Sequence, residues 1–125
     1  MLQLGQQLYR FKFDISEENI ATDKHTFAVI DIDIKERFNQ TIVSYKTRCL
    51  EDYKIKYLDG HHREESDMHF NQARASGSAV YVLLLEDDFN KAHQIVSDYF
   101  DEQVQSCKDK LAKLESVSSR IKALM

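Results

Sequence analysis

Proline and tryptophan are absent from the 125-residue chain, and glycine occurs only three times. Without those breakers, long irregular loops and interdomain linkers are poorly supported, and no internal repeat or low-complexity segment is visible. Cysteine is nearly absent too. Cys49 and Cys107 stand far apart with no CxxC pair, which excludes a disulfide framework and a thiol-built zinc finger and suits a reducing cytoplasm. Positive charge is in short supply: 17 basic against 21 acidic residues give a net charge of −4. That balance argues against direct binding along nucleic acid, where phosphate neutralisation dominates affinity, and favours a protein partner with a basic surface. No apolar run approaches the roughly 20 residues of a membrane span, and "MLQLGQQLYRFKFD" has no basic segment followed by a long apolar one. A cytoplasmic protein is expected, with neither membrane span nor secretory signal. Nor is there a Gly-rich phosphate loop, a nucleophile elbow or a local Ser/His/Asp or Cys/His arrangement, so a non-enzyme is the expectation.

What is present is alternation, then a long helical period. Tyr9, Phe11, Phe13 and Ile15 alternate with Arg10, Lys12 and Asp14, the period-2 pattern of a strand with one buried face. "SEENIATDK" gives a polar break. "HTFAVIDIDIK" repeats the alternation, placing Ala28, Ile30, Ile32 and Ile34 on one face and Val29, Asp31, Asp33 and Lys35 on the other. "QTIVSYKTRC" and "DYKIKYL" are β-branched and aromatic enough for two more strands, and "AVYVLLL" (79–85) reads as a strand covered on both faces. From about Asp87 to Leu124 apolar residues advance by three or four, close to the 3.5-residue repeat of a coiled coil. Asp87 and Asp88 can cap this helix, and its charge runs with the dipole, acidic at the start and basic at the end. Some 38 residues would span roughly 57 Å, more than the sheet can cover. The second half must therefore bend back, pair with another copy or dock on a partner; weak helix formers at Ser116 to Ser119 would allow a hairpin. The fold expected is α+β: a mainly antiparallel sheet of about five strands (1–85) on a long C-terminal helix (86–125), bent or coiled-coil, in one domain.

Three stretches carry candidate chemistry. "DGHHREESDMH" (59–69) concentrates three of the five histidines. Were 62–70 helical, His62, Glu65 and His69 would share a face, with Asp59, Asp67, His61 or a distant His25 or His93 as a fourth ligand. His61, His62, Glu65, Asp67 and His69 are accordingly the candidate ligands of a structural zinc, against a solvated loop as the alternative. In "DIDIK", Asp31, Asp33 and Lys35 with Asp14 loosely resemble the acid plus acid-x-Lys constellation of restriction-type nucleases, where two carboxylates hold Mg²⁺. The resemblance covers four residues and is easily met by chance, and a charged outer face of a half-buried strand is the favoured account. Finally, Asp87, Asp88, Asp98, Asp101 and Glu102, interleaved with Phe89 and Tyr99, could grip a basic partner, or serve only the helix dipole and the core.

The acidic, strand-rich body followed by "EDDFNKAHQIVSDYFDEQVQSCKDKLAKLESVSSRIKAL" resembles the small proteins carried by phages and prophages of low-GC bacteria, and in size and charge is similar to anti-CRISPR inhibitors of Cas9. The likeness is one of style over the whole chain and transfers no residue. It implies a non-enzymatic inhibitor, in the host bacterial cytoplasm, that binds Cas9 or its guide-RNA complex and blocks DNA loading or cleavage. A metal-dependent nuclease or other hydrolase, and a structural module or homodimer assembled through the C-terminal helix, are the alternatives.

Overall fold

The computed structural model describes residues 2–16, 18–61 and 70–124, with backbone alone at 37, 40 and 59–61. The order of elements is β1 (Gln7–Asp14), β2 (Ala21–Arg37), β3 (Gln40–Cys49), β4 (Ile55–His61), β5 (Ala73–Ser76), β6 (Ala79–Leu84) and α1 (Phe89–Ala123). The strands form one sheet in the order β4-β3-β2-β1-β6-β5, every neighbouring pair antiparallel. The fold is α+β as expected, with six strands rather than five. The additional strand, "ARAS", has no β-branched or aromatic residue and joins the edge through a tight turn at Gly77, whose φ of 60° suits glycine.

Both faces of the sheet are apolar over its middle. On one, Phe11, Phe13, Val80, Val82 and Leu84 pack beneath Ala92 and Val96 of α1. On the other, Leu8, Phe27, Val29, Val43, Tyr45 and Cys49 form a second core closed by Leu2 and Phe70. The central strands β1 and β6 are thus covered on both sides. Lys56 of β4 and Arg74 of β5, at opposite edges of the sheet, line one cavity with Arg10 of central β1, so the sheet curls around this second face.

A bulge in β2 corrects the face assignment made from the sequence. The register with β3 shifts between Val29 and Asp31, so Val29 and Ile32 lie on the same side, against the second core, while Ile30 is turned outward. The strand also begins earlier than expected, at Ala21, because "ATDK" pairs with the end of β1 despite its polarity.

The helix begins two residues later than its pattern suggested. Asp88 is the N-cap, its Oδ1 accepting the Lys91 N–H at 3.1 Å, and Arg120 and Lys122 sit in the last turn where the helix dipole favours cations. No break occurs at 116–119. Its 35 residues run continuously, for roughly 52 Å. Contact with the sheet core ends around Tyr99 and Phe100, leaving Val104, Leu111, Leu114 and Ile121 more than half exposed. Among the described residues, no helix is long and apolar enough to cross a membrane.

Leu84 is fully buried between β1 and α1. Leu84→Ala is expected to lower stability by about 2–5 kcal/mol through lost burial and a residual cavity. Urea unfolding would show this as a lower midpoint at unchanged slope; a loss under about 1 kcal/mol would mean that helix and sheet do not share this core.

Candidate anion-binding pocket

Arg10 lies mid-strand in β1, opposite His25 of β2 and Leu83 of β6. Its guanidinium carbon stands 5.2 Å from the ring centroids of both Phe27 and Tyr81. Two aromatic faces thus hold the cation by its charge and its planar shape. Lys56 Nζ approaches the same Phe27 ring at 5.8 Å, and Arg74 stands opposite Tyr81 on the adjoining strand. These side chains line a cavity of about 580 Å³, to which Leu58 and Leu83 add an apolar wall and Gln72 and Ser76 neutral polar groups.

The electrostatics of this cavity run against those of the chain. With a net charge of −4 overall, the protein still gathers Arg10, Lys56 and Arg74 here, and no carboxylate lines the cavity among the described residues. Arg10 Nε is buried without a hydrogen-bond partner, a costly state for a charged donor. Burial, and then the positive charge of Arg10, holds the Lys56 ammonium below its ordinary pKa of 10.5. A site that keeps cations partly desolvated, mutually repelling and short of acceptors has the chemistry to receive an anion. Its size lies within the range of small-molecule sites.

A second group of donor atoms lies at the end of the same sheet face. His25, Cys49 and Asp52 bring one ligand atom each within 4.8 Å of one another. The β3–β4 turn places them: Glu51 accepts the Thr26 N–H through both carboxylate oxygens, at 3.0 and 2.9 Å, fastening the turn to β2.

The residues singled out from sequence are distributed differently. His62, Glu65, Asp67 and His69 lie outside the described residues, and the backbone of His61 ends β4 opposite Ile42. Asp87 pairs with Lys24 at 2.9 Å, Asp88 caps the helix, and Phe89 stacks on Phe13 with ring centroids 5.8 Å apart. Tyr99 packs edge-on to Phe100 at 5.1 Å beside the core. The Asp98 carboxylate accepts from Gln94 at 2.8 Å, while Asp101 and Glu102 are exposed. The nuclease-like constellation is not assembled. Asp14 stands opposite Ala21, whereas Asp33 lies about twelve residues further along β2, roughly 40 Å away at the rise of a strand.

Arg10, Lys56 and Arg74 escaped the sequence reading because each looks like an ordinary outward charge within its own strand. The one available hint is "KIKYL" in β4, where two lysines alternate with Ile55 and Tyr57. There the apolar partners face outward, with Tyr57 66% exposed, and Lys56 faces the cavity. No family model matches the chain, and neither a curated protein nor a solved structure matches it.

Proposed function

We propose that the chain is a non-catalytic binding protein whose sheet cavity takes a small phosphorylated molecule. The observation that carries this reading is the unpartnered, buried Arg10 Nε in a cavity lined by three cations and no described carboxylate. A phosphate group suits it better than a single carboxylate, because a dianion can accept from two or three cationic side chains at once and arginine forks match its oxygens. Phe27, Leu58 and Leu83 would cover the uncharged body of such a ligand. Calorimetry and thermal melting of the full chain with pyrophosphate, a mononucleotide and a sugar phosphate are the test. One-to-one binding by at least one of them is expected; none binding at millimolar concentration would overturn the reading.

Binding should weaken with rising pH. The uncomplexed Lys56 loses its proton below the ordinary 10.5, and an anion favours the charged form. Affinity should therefore fall as pH climbs past that lowered pKa, by up to tenfold per pH unit for a single coupled proton. Arginine keeps its charge over this range, and Tyr81, the other titratable group lining the pocket, is controlled by Tyr81→Phe. Lys56→Gln should bind more weakly and lose this slope. A slope unchanged in Lys56→Gln would count against the assignment.

A second reading rests on a separate feature, the uncovered stripe of α1. We infer that it pairs in parallel with the helix of a second copy. Val104 and Leu111 fall at a positions and Cys107, Leu114 and Ile121 at d positions of one heptad frame, which places Lys110 at g and Glu115 at e. In a parallel, in-register pair each Lys110 meets the partner's Glu115, so this one pair of flanking charges is complementary. The inhibitor reading is narrower and would use exposed acids such as Asp101 and Glu102. Mixing the protein with Cas9 and guide RNA tests it, and the absence of both a complex and lost cleavage would remove it.

A further inference from the structure

We propose that His25, Cys49 and Asp52, with Glu51 beside them, form a structural binding site for a zinc-class divalent cation. Nitrogen, sulfur and oxygen donors together are the set a borderline-soft ion selects, and calcium and magnesium, which take oxygen ligands, do not fit it. Cys49 is 1% exposed and ends β3, His25 lies on neighbouring β2, and Asp52 sits in the turn that follows β3.

The separation is close to that of a ligand set. Tetrahedral zinc, with bonds of about 2.0–2.3 Å, holds its donors roughly 3.3–3.8 Å apart. The three donors here lie within 4.8 Å, so they need to close by about 1.5 Å at most. The Cys49 thiol donates to Glu51 Oε2 at 3.2 Å, and that oxygen is fixed by the Thr26 N–H at 2.9 Å, so a second carboxylate flanks Cys49.

One observation points to a missing occupant. His25 Nδ1 is buried and makes no hydrogen bond, although a buried ring nitrogen ordinarily has a partner. The other ring nitrogen, Nε2, lies 3.8 Å from Asp23 Oδ2. That distance is too long for a hydrogen bond, and the buried Nδ1 remains a donor or acceptor that nothing among the described residues satisfies. In addition, the turn is held by its own bonds: Asp52 Oδ1 accepts from the Lys54 N–H at 2.9 Å, and the Tyr53 N–H is bonded to the Cys49 carbonyl at 2.9 Å. The Asp52 carboxylate also meets the Cys49 thiol, which brings these two donors to one point. Binding would convert the Cys49 thiol to a metal thiolate and release its proton to solvent. One thiolate and one carboxylate would then neutralise the ion, and a water would complete the four-coordinate shell. The ion would staple the β3–β4 turn to β2. This site is separate from the zinc expected at 59–69 and does not depend on the phosphate reading.

The test uses the full chain, freed of metal by chelation and titrated with Co²⁺. One equivalent should give a thiolate-to-cobalt charge-transfer band in the near ultraviolet, bleached by Zn²⁺, and Zn²⁺ should raise the melting temperature by several degrees. Cys49→Ser and His25→Gln should each abolish the band. Cys107→Ser, and the combined alanine variant of His61, His62 and His69, should keep it. No band in the unaltered chain, a band surviving Cys49→Ser, or a band lost with the three histidines would each overturn the assignment. Because the first result is read on the unaltered protein, a variant that fails to fold does not shelter the proposal.

Discussion

Arg10→Met should weaken binding of a phosphorylated ligand roughly 10- to 100-fold while leaving the fold in place. A charged hydrogen bond to a desolvated acceptor is worth about 1.5–3 kcal/mol, and Arg10 has a buried nitrogen with no internal acceptor to release first. Met preserves an unbranched stem and a polarizable end between Phe27 and Tyr81, so the packing of the sandwich survives better than with Ala. Two effects on stability oppose each other. Loss of the cation–π contacts costs about 0.5–2 kcal/mol, and removal of an unpaired, partly desolvated charge gains a similar amount. The net change should lie within about 1 kcal/mol. The substitution also removes the charge that helps hold Lys56 below its ordinary pKa, so the fall in affinity with pH should move to higher pH in the variant. Lys56 would thereby report on Arg10 through titration, a readout that a merely misfolded protein would not give. Unchanged affinity in Arg10→Met would place any bound phosphate somewhere other than this cavity.

Why the cavity was hidden from sequence while the fold was not is a matter of register. The alternation of Tyr9, Phe11 and Phe13 identified a buried face in β1, and Phe11 and Phe13 do lie under the helix. The same alternation set Arg10, Lys12 and Asp14 on the opposite face, but the curl of the sheet folds a second core over that side, with Leu8 fully buried. Period-2 reasoning presumes one wet side, and β1 has none at its centre. In β2 a single bulged residue exchanged the two faces partway along, putting Val29 inside and Ile30 out. No local pattern announces such a shift. The helix was legible because its period holds through 35 residues with a capping aspartate at the start. Strand β5 was not, since "ARAS" carries no β signal and gains its place from the hairpin with β6. His25, Cys49 and Asp52 span two strands and a turn, so only the antiparallel pairing of β2 with β3, which sets Phe27 against Cys49, brings them together. The charged and ligating members of these sites come from different strands and one turn, and the chemistry exists only once register is set.

The helix makes the other large prediction. The chain should be a dimer at micromolar concentration, and Leu111→Glu combined with Leu114→Glu should make it a monomer, weakening association by more than about 100-fold. Leu111 and Leu114 are 57% and 67% exposed in the single chain, and pairing would bury both copies of each; at about 25 cal/mol per Å² a buried leucine contributes roughly 1.5–3 kcal/mol. Four such side chains would be replaced by four carboxylates facing one another across the seam, so the loss of burial and the repulsion add. Both residues lie beyond the last contact between α1 and the sheet core, and urea unfolding of the strand-rich body should therefore change little. Ultracentrifugation of the two forms gives the mass directly. The direction of pairing follows from Cys107, an exposed free thiol at a d position. In a parallel, in-register pair the two copies of Cys107 face each other and mild oxidation should yield a covalent dimer in high yield; an antiparallel pair would separate them and yield little. A Lys110→Glu exchange would set like charges at g and e and should weaken the parallel dimer, and the further change Glu115→Lys should restore it. A monomeric unaltered chain at high concentration would refute self-pairing, and the stripe would then have to be covered by a partner of another kind.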